Sequence, residues 1–504
     1  TLNFANTKRI LKDFTQLASN TTTLGTELAI TAGPNPGRDS IGASATLITN
    51  DNLILRSDAD GTARIAQLPS TAAITGKVTV ERFLPMNAIY DSRRWRLLTA
   101  PFKVTNSPTI NAAWQESVSN SNRLAPVNPR PGYGTQITKS TTWAADGYDQ
   151  GSTNNPSIYY YSAGNWVAPA NTNTVKITDN SNCYMLFARG DRSTVITNQF
   201  VAASPTTLAP KGELNIGNVT IPLVASGYQT VGNPYASAIR LNNVQFNDTL
   251  GISKTFYIWD PKTLGSANVG RFITCSGNGT SFTYTGNTSL YQNNPGVIES
   301  SGAFMVPGNG NNIVFHESDK FINSSTIGIA SRPVRNPGSH GNVMSLHIDM
   351  TAFKNGVPSL ADGIALEFNK NFANEIDGLD ASKLTTFYTR EELSICNGGN
   401  LFAIERRNDI IAEDTVFLQI SKLNTAAYQF HLRPAAFGQY YTATLEDRYK
   451  NTSTPVDLLN GSTVDFSINT DSASFAGNRF YIIFKNTTPA PVVVTKPGFT
   501  IFPN

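Results

Sequence analysis

Charged side chains and cysteine are both scarce in this chain. Only 15% of its 504 residues are Asp, Glu, Lys or Arg, against about a quarter in typical globular proteins. The net charge is +3, and the basic residues form no stripe, so nucleic acid is not an expected partner. The three cysteines, Cys183, Cys275 and Cys396, are far apart and odd in number. They cannot form a disulfide framework, although one bridge between two of them stays open.

Long apolar runs and the motifs of common active sites are also missing. The chain has no run of about 18 apolar residues, so we expect it not to span a membrane. Its four histidines lie outside any HExxH spacing, and neither GxSxG nor GxxxxGK[ST] occurs. The sequence therefore predicts a protein that is not an enzyme and has no cofactor.

Asn, Thr, Ser and Gly take the place of the missing charge, and 50 aromatic residues (27 Phe, 18 Tyr, 5 Trp) supply surface to bury. Thr favours strands, while Asn and Gly favour turns. Alternation of apolar and polar residues predicts half-buried strands, and it occurs at 77–82, 344–350, 364–368, 416–420, 464–468 and 480–484. Asp-Gly and Asn-Gly pairs mark tight turns, for example at 60–61, 355–356, 362–363 and 460–461. These patterns predict an all-β, multidomain protein built from tandem antiparallel sandwich or jelly-roll-like units.

The first residues follow a different pattern. Ile10, Leu11, Phe14 and Leu17 have helical spacing, which predicts a short amphipathic helix, with an irregular arm as the alternative. No internal repeat is evident. The predicted organisation is a helical or irregular arm at 1–24, a small β segment at 25–88, a large loop-rich β domain at 89–332, a sandwich at 342–486, and a Pro-rich linker with a further strand at 487–504.

Two groups of residues are candidate binding sites. The aromatic residues Trp143, Tyr148, Tyr160 and Trp166 lie close together in sequence among Asn and Ser, so they predict either a carbohydrate-binding surface or ordinary core packing. Oxygen-rich turns at Asp58, Asp60, Asp377 and Asp380 are weak candidates for calcium. The competing interpretation is that these carboxylates close turns, and it is favoured because Asp is common in turns of every kind.

The chain ends in GFTIFPN (498–504), which resembles the first strand of the C-terminal sorting domain carried by type IX secretion cargo of Bacteroidota. Several sequence segments before this tail also resemble segments of large adhesin-like surface proteins that carry this domain. They are SDADGTARIA (57–66), GKVTVERFLP (76–85), RRWRLLTAPF (93–102), TINAAWQES (109–117), GYGTQIT (132–138), CYMLFARGDR (183–192), SGYQTVGNPYASAI (226–239), SGAFMVPG (301–308), TLEDRYKNTSTPVDL (444–458) and SASFAGNRFYIIF (472–484).

This resemblance implies export through the type IX machinery and an extracellular or cell-surface location, without implying a reaction. It also implies candidate O-glycosylation at Ser40, Thr249, Thr415 and Ser472, which lie in short Asp-Ser/Thr-apolar motifs.

We therefore expect a structural or adhesin-like surface protein that assembles into a homo-oligomer or an extracellular polymer through its terminal segments. The residues expected to mediate assembly are Ile10, Leu11, Phe14, Leu17, Phe499, Ile501 and Phe502. The alternative is a glycan-binding protein that uses the aromatic residues of 143–166.

Overall fold

The computed structural model describes residues 2–3, 9–32, 36–86, 93–139, 142–153, 155–179, 183–196, 204–241, 244–246, 255–261, 270–277, 282–286, 296–321, 343–384, 391–424 and 427–488. Strands dominate these residues, and the all-β class is confirmed. Among them, regular helix is confined to one α-helix (Ile110–Trp114) and three 3₁₀ turns (Val104–Asn106, Glu317–Asp319 and Ser472–Phe475).

The first unit is a parallel β-helix, in which the chain winds through three short strands per rung. Its strands are β1 (Arg9–Leu11), β2 (Asp13–Gln16), β3 (Thr21–Thr23), β4 (Leu28–Ile30), β5 (Arg38–Ile41), β6 (Thr46–Ile48), β7 (Leu53–Leu55), β8 (Arg64–Ile65), β9 (Ala73–Thr75) and β10 (Val78–Val80). They form three parallel sheets with the orders β1-β4-β7-β10, β2-β5-β8 and β3-β6-β9. Each sheet is one side of the winding, and each successive rung stacks on the one before it.

The β-helix overturns three expectations. The predicted helix at the N-terminus is wrong, since residues 9–11 and 13–16 are strands β1 and β2. A repeat is also present: Leu28, Leu53 and Val78 are register partners on successive rungs, each 25 residues after the last. Parallel pairing was not expected either. The side chains of Leu28, Leu53 and Val78 are fully buried. They belong to an apolar core that begins at Leu24 and includes residues of the next unit as far as Ala236.

The middle unit contains small antiparallel sheets joined by long loops. Its strands are β11 (Arg82–Leu84), β12 (Arg94–Leu98), β13 (Ile158–Ser162), β14 (Asn165–Val167), β15 (Tyr184–Ala188), β16 (Thr206–Leu208), β17 (Lys211–Gly212), β18 (Val219–Pro222), β19 (Tyr228–Gly232), β20 (Ile239–Arg240), β21 (Gln245–Phe246), β22 (Thr255–Asp260), β23 (Arg271–Gly277), β24 (Phe282–Tyr284), β25 (Val297–Ile298), β26 (Ala303–Pro307) and β27 (Asn312–Phe315). The two largest sheets have the orders β12-β15-β13-β14 and β19-β26-β22-β23-β24. An aromatic-rich core lies between them.

The C-terminal unit is one large, nearly closed sheet that curls around a single apolar core. Its strands are β28 (Met344–Lys354), β29 (Val357–Phe368), β30 (Ala381–Ser382), β31 (Glu392–Asn397), β32 (Asn400–Arg407), β33 (Glu413–Ser421), β34 (Ala427–Ala435), β35 (Tyr441–Asp447), β36 (Thr452–Val456), β37 (Ser462–Ser467) and β38 (Phe480–Asn486). The order is β36-β35-β38-β33-β31-β32-β29-β28-β34-β37, with β30 beside β32. The alternation predicted from sequence at 344–350, 416–420 and 480–484 is confirmed, because those apolar side chains line this core.

Candidate assembly surface

The first rung of the β-helix is the outermost one among the described residues. Strands β1, β2 and β3 each occupy the outer position of their sheet, and among the described residues each is paired in a ladder on one side only. One isolated parallel bridge, Leu2 to Leu24, places the chain's own N-terminal segment on the outer side of the rung where β3 ends. Leu2 donates its amide to Thr23 (2.7 Å) and accepts from Gly25 (3.0 Å).

The backbone of this rung directs hydrogen-bonding groups away from the β-helix. The Arg9 amide donates to Glu27 and the Leu11 carbonyl accepts from Thr31, so both groups face β4. Alternation along a parallel strand then turns the amide and carbonyl of Ile10 to the open side. The carbonyls of Lys12, just before β2, and of Gln16 face β5, so alternation turns the amides and carbonyls of Asp13 and Thr15 outward.

Side chains at this end divide between core and solvent. Leu11 and Phe14 are half-buried and pack on the core of the β-helix. Ile10 and Leu17 are 61% and 73% exposed. The four residues predicted to form one apolar helix face therefore separate: two close the interior, and two lie beside strands that have one ladder partner each among the described residues. Apolar side chains next to an unpaired edge are typical of a site that accepts another strand.

The opposite end of the β-helix is closed by the middle unit. Strand β17 pairs antiparallel with β10, and the Ile65 amide donates to the Ala236 carbonyl (2.9 Å). The carboxylate of Glu317 accepts from the Leu68 amide (2.9 Å) and pairs with Lys320 (2.7 Å). The two ends thus differ: one is sealed by tertiary structure, and the other presents strand edges.

The remaining predicted assembly residues, Phe499, Ile501 and Phe502, lie outside the described residues. The sequence missed the open edge because each strand has only three or four residues. The signal that could have revealed it is the 25-residue spacing of the triplets LAI (28–30), LIL (53–55) and VTV (78–80).

The aromatic residues predicted to bind carbohydrate do not form one surface. Tyr148 is fully buried and donates its hydroxyl to the Pro169 carbonyl (2.6 Å). Trp143 and Tyr160 pack against the core shared with the β-helix. Trp166 lies on the other face of the β13–β14 hairpin, half-buried against the core between the two sheets.

Trp166 does contact an aromatic neighbour, with its ring centroid 5.2 Å from that of Tyr161 in an edge-on arrangement. This pair is the half-buried margin of the aromatic core between the sheets. Carbohydrate binding stays a prediction, and it now rests on the half-buried pair of Tyr161 and Trp166 alone.

Three of the four calcium candidates, Asp58, Asp377 and Asp380, accept hydrogen bonds from backbone amides in turns. Asp58 accepts from the amides of Asp60 (2.8 Å) and Gly61 (3.1 Å). Asp377 accepts from the Leu379 amide (2.7 Å), and Asp380 accepts from the amides of Asp377 (3.1 Å) and Arg406 (2.8 Å). Within the described part of the chain, no group of three or more acidic, His or Cys residues could hold a metal ion.

The other predicted sites have varied surroundings. Ser40 and Thr415 are half-buried within strands, and Ser472 is exposed at the start of a 3₁₀ turn, whereas Thr249 lies outside the described residues.

All three cysteines are free thiols, and burial raises the pKa of Cys183 and Cys275 to about 12.

Comparison with known proteins adds no relative: no family model, no curated protein and no solved structure matches the chain. Among the described residues, no helix has the length and apolar character to cross a membrane.

Proposed function

We propose that this protein is an exported structural or adhesin-like surface protein that polymerises through its terminal segments. The observation that supports the proposal is the outer side of the first rung, where β1 and β2 lack a ladder partner among the described residues and Leu2 contacts the end of β3. An unpaired strand edge binds extended segments through backbone hydrogen bonds and takes specificity from side-chain pockets.

The proposed occupant is residues 489–504 of a second copy. This segment follows β38, the last strand among the described residues, and its sequence alternates Phe499 and Ile501 with Thr500 in the manner of a strand. Sixteen extended residues span up to about 50 Å, which is ample for pairing with both β1 and β2.

Polymerisation follows from the geometry of the contact. The acceptor edge is at the N-terminal unit and the donor segment follows the C-terminal unit, so the contact joins two different surfaces. Such a heterologous contact propagates from copy to copy unless the rotation closes a ring. The weakly charged, Asn- and Thr-rich composition and the resemblance to type IX cargo support a location outside the cell, where such a polymer would present its loops.

Proline at position 10 tests the edge. The outward amide of Ile10 is not needed for pairing with β4, so Ile10→Pro removes a docking donor while β1 stays in its sheet. We expect wild-type protein to form concentration-dependent polymers in light scattering and electron microscopy, and Ile10→Pro to remain monomeric. Ile10→Ala, which keeps the amide, is the matched control and should polymerise.

The tail is tested separately. Deletion of 489–504 should abolish polymers, and a synthetic peptide of the same sequence should compete with wild-type assembly. The proposal fails if wild-type protein is monomeric at every concentration, or if Ile10→Pro and the deletion assemble as the wild type does.

A further inference from the structure

The tip of the β28–β29 hairpin is an exposed Asn-Gly pair. Asn355 and Gly356 have positive φ angles of 52° and 77°, and Lys354 opposite Val357 is the closing pair of the ladder. Positive φ at both central residues is the geometry of the two-residue turn that suits a hairpin. Both residues of the pair are exposed, and a Cβ on Gly356 would meet no neighbouring atom within 4 Å. The turn therefore has room to change its conformation.

An asparagine that precedes glycine can react with its own backbone. The amide nitrogen of the glycine, after losing its proton to hydroxide, bonds to the side-chain Cγ of the asparagine. The bond from Cγ to the side-chain nitrogen breaks, and that nitrogen takes a proton from water and leaves as ammonia. Water then opens the five-membered ring at either carbonyl, which gives aspartate or isoaspartate. Glycine permits the attack because it has no side chain to crowd the nitrogen.

The chain has five Asn-Gly pairs, one of which, at 278–279, lies outside the described residues. Hydrogen bonds hold a reacting group in two of the others. The Gly310 amide donates to the Val224 carbonyl (2.9 Å), so the attacking nitrogen of that pair is engaged. The side-chain amide of Asn397 donates to Glu405 Oε1 (2.7 Å), so the leaving nitrogen of that pair is engaged.

The last two pairs are opposites. At 460–461 both groups are held, since the side-chain amide of Asn460 donates to Asp457 Oδ2 (2.9 Å) and the Gly461 amide donates to the Asp457 carbonyl (2.9 Å). At 355–356 neither group is held: within the described part of the chain, the Asn355 side chain and the Gly356 amide make no hydrogen bond.

We propose that Asn355 is a site of spontaneous covalent modification, at which the folded chain loses ammonia faster than at its other described Asn-Gly pairs. Rotation about the Cα–C bond of Asn355 brings the Gly356 nitrogen toward Cγ, and no hydrogen bond of either group opposes it. Each hydrogen bond that has to open first slows the reaction by about threefold to tenfold. The motif is the same in every pair, and the fold selects one of them.

The modification changes the hairpin tip in two ways. Either product adds a negative charge next to Lys354. Isoaspartate also places its Cβ in the main chain, so the connection between Lys354 and Val357 no longer has the length of a two-residue turn. Strand β28 pairs with β34 as far as Phe353, and this second partner should confine the disturbance to the tip.

The experiment is peptide mapping by mass spectrometry of the full chain during incubation at pH 8, with the isoaspartate peptides separated by chromatography. We expect the rate of conversion at Asn355 to exceed the rates at Asn309, Asn397 and Asn460 by about threefold or more. In guanidinium chloride the hydrogen bonds are lost, and the four rates should become similar.

Asn355→Gln is the matched variant, because its longer side chain would have to close a six-membered ring. It should stop the conversion in this peptide and leave the other three rates unchanged. A rate at Asn355 in the folded chain that is no higher than at the other pairs would overturn the proposal. So would a rate order that persists in guanidinium chloride, since the flanking sequence and not the fold would then select the site.

Discussion

Asp39 is a buried acid without a well-formed hydrogen bond to either carboxylate oxygen. It lies on β5 inside the β-helix, next to the register partners Phe14 and Ile65. Burial is the main influence on it and raises its pKa to about 7, while the nearby charge of Lys320 and the Ser40 amide offset part of that rise. A carboxyl in this environment is stable when neutral and destabilising when ionised.

The pH dependence of folding should therefore carry the signature of Asp39. In the unfolded chain its pKa is near 3.9, so its favourable contribution is complete below pH 4 and is lost as pH rises through about 7. Asp39→Asn keeps the shape and stays neutral. At pH 8 we expect the free energy of unfolding of this variant to be up to about 4 kcal/mol higher than that of the wild type. This figure follows from the difference of about three pKa units between folded and unfolded Asp39.

Denaturant unfolding followed by hydrogen exchange at β5 measures this effect locally, which matters in a chain with several cores. At pH 4 the wild type and Asp39→Asn should be equally stable. Parallel pH profiles for the two proteins from pH 4 to 8 would contradict the assignment.

At the scale of the element, the rungs of the β-helix stack too closely for side chains at certain corners. Gly37 and Gly42 flank β5. A Cβ on Gly37 would lie 1.8 Å from the Lys12 carbonyl oxygen, and one on Gly42 would lie 2.5 Å from the Ala18 amide nitrogen. Both clashes are with backbone atoms of the first rung. A side chain at either position could therefore fit only if the first and second rungs moved apart.

Gly42→Ala should destabilise the first rung by about 1–3 kcal/mol, the usual range for overpacking. Hydrogen exchange at β2 and β5 would report it as lost protection confined to the open end. Gly438→Ala is the control, since its Cβ would meet nothing closer than 3.9 Å. Unchanged protection in Gly42→Ala would contradict this packing argument.

The strands of the C-terminal unit could be predicted because they are long and half-buried, so alternation is visible over several residues. In the β-helix, β1 and β2 are separated by a corner at Lys12 that changes the phase of alternation. Leu11 and Phe14 then both face the core, and their spacing imitates a helix. The strand edge of the first rung depends on which strands find partners in space, and the 25-residue spacing of the triplets at 28–30, 53–55 and 78–80 was its one signal in the sequence.

The Asp362-Gly363 pair shows another limit. It has the composition of a tight turn, yet it lies within β29. The glycine is required there for a different reason: a Cβ on Gly363 would come within 2.5 Å of the Gly286 amide nitrogen of the middle unit. Sequence alone does not distinguish a glycine that permits a turn from one that permits two backbones to approach.

At the scale of the whole molecule, the middle and C-terminal units are joined by buried charge. Asp362 pairs with Arg271 of the middle unit (2.9 Å) and with Lys383 (2.8 Å). Arg406 pairs with Glu367 (2.7 Å) and reaches the middle unit through the hydroxyl and carbonyl of Ser276 (3.2 and 3.1 Å). Removing one partner of a buried ion pair is strongly destabilising, so the two units hold a defined relative position.

Gly363→Ala tests whether this junction makes the two units unfold together. The methyl group would press on the backbone at Gly286 and on the Asp349 carboxylate, 2.8 Å away, and should push the units apart without disturbing the core of either. We expect calorimetry to show one shared transition in the wild type and two separated transitions in the variant, because cooperativity requires an intact interface. Gly477→Ala, whose Cβ would make only an ordinary 3.5 Å contact, should retain the shared transition. A single transition at the wild-type temperature in Gly363→Ala would show that the close approach at Gly286 is not what couples the two units.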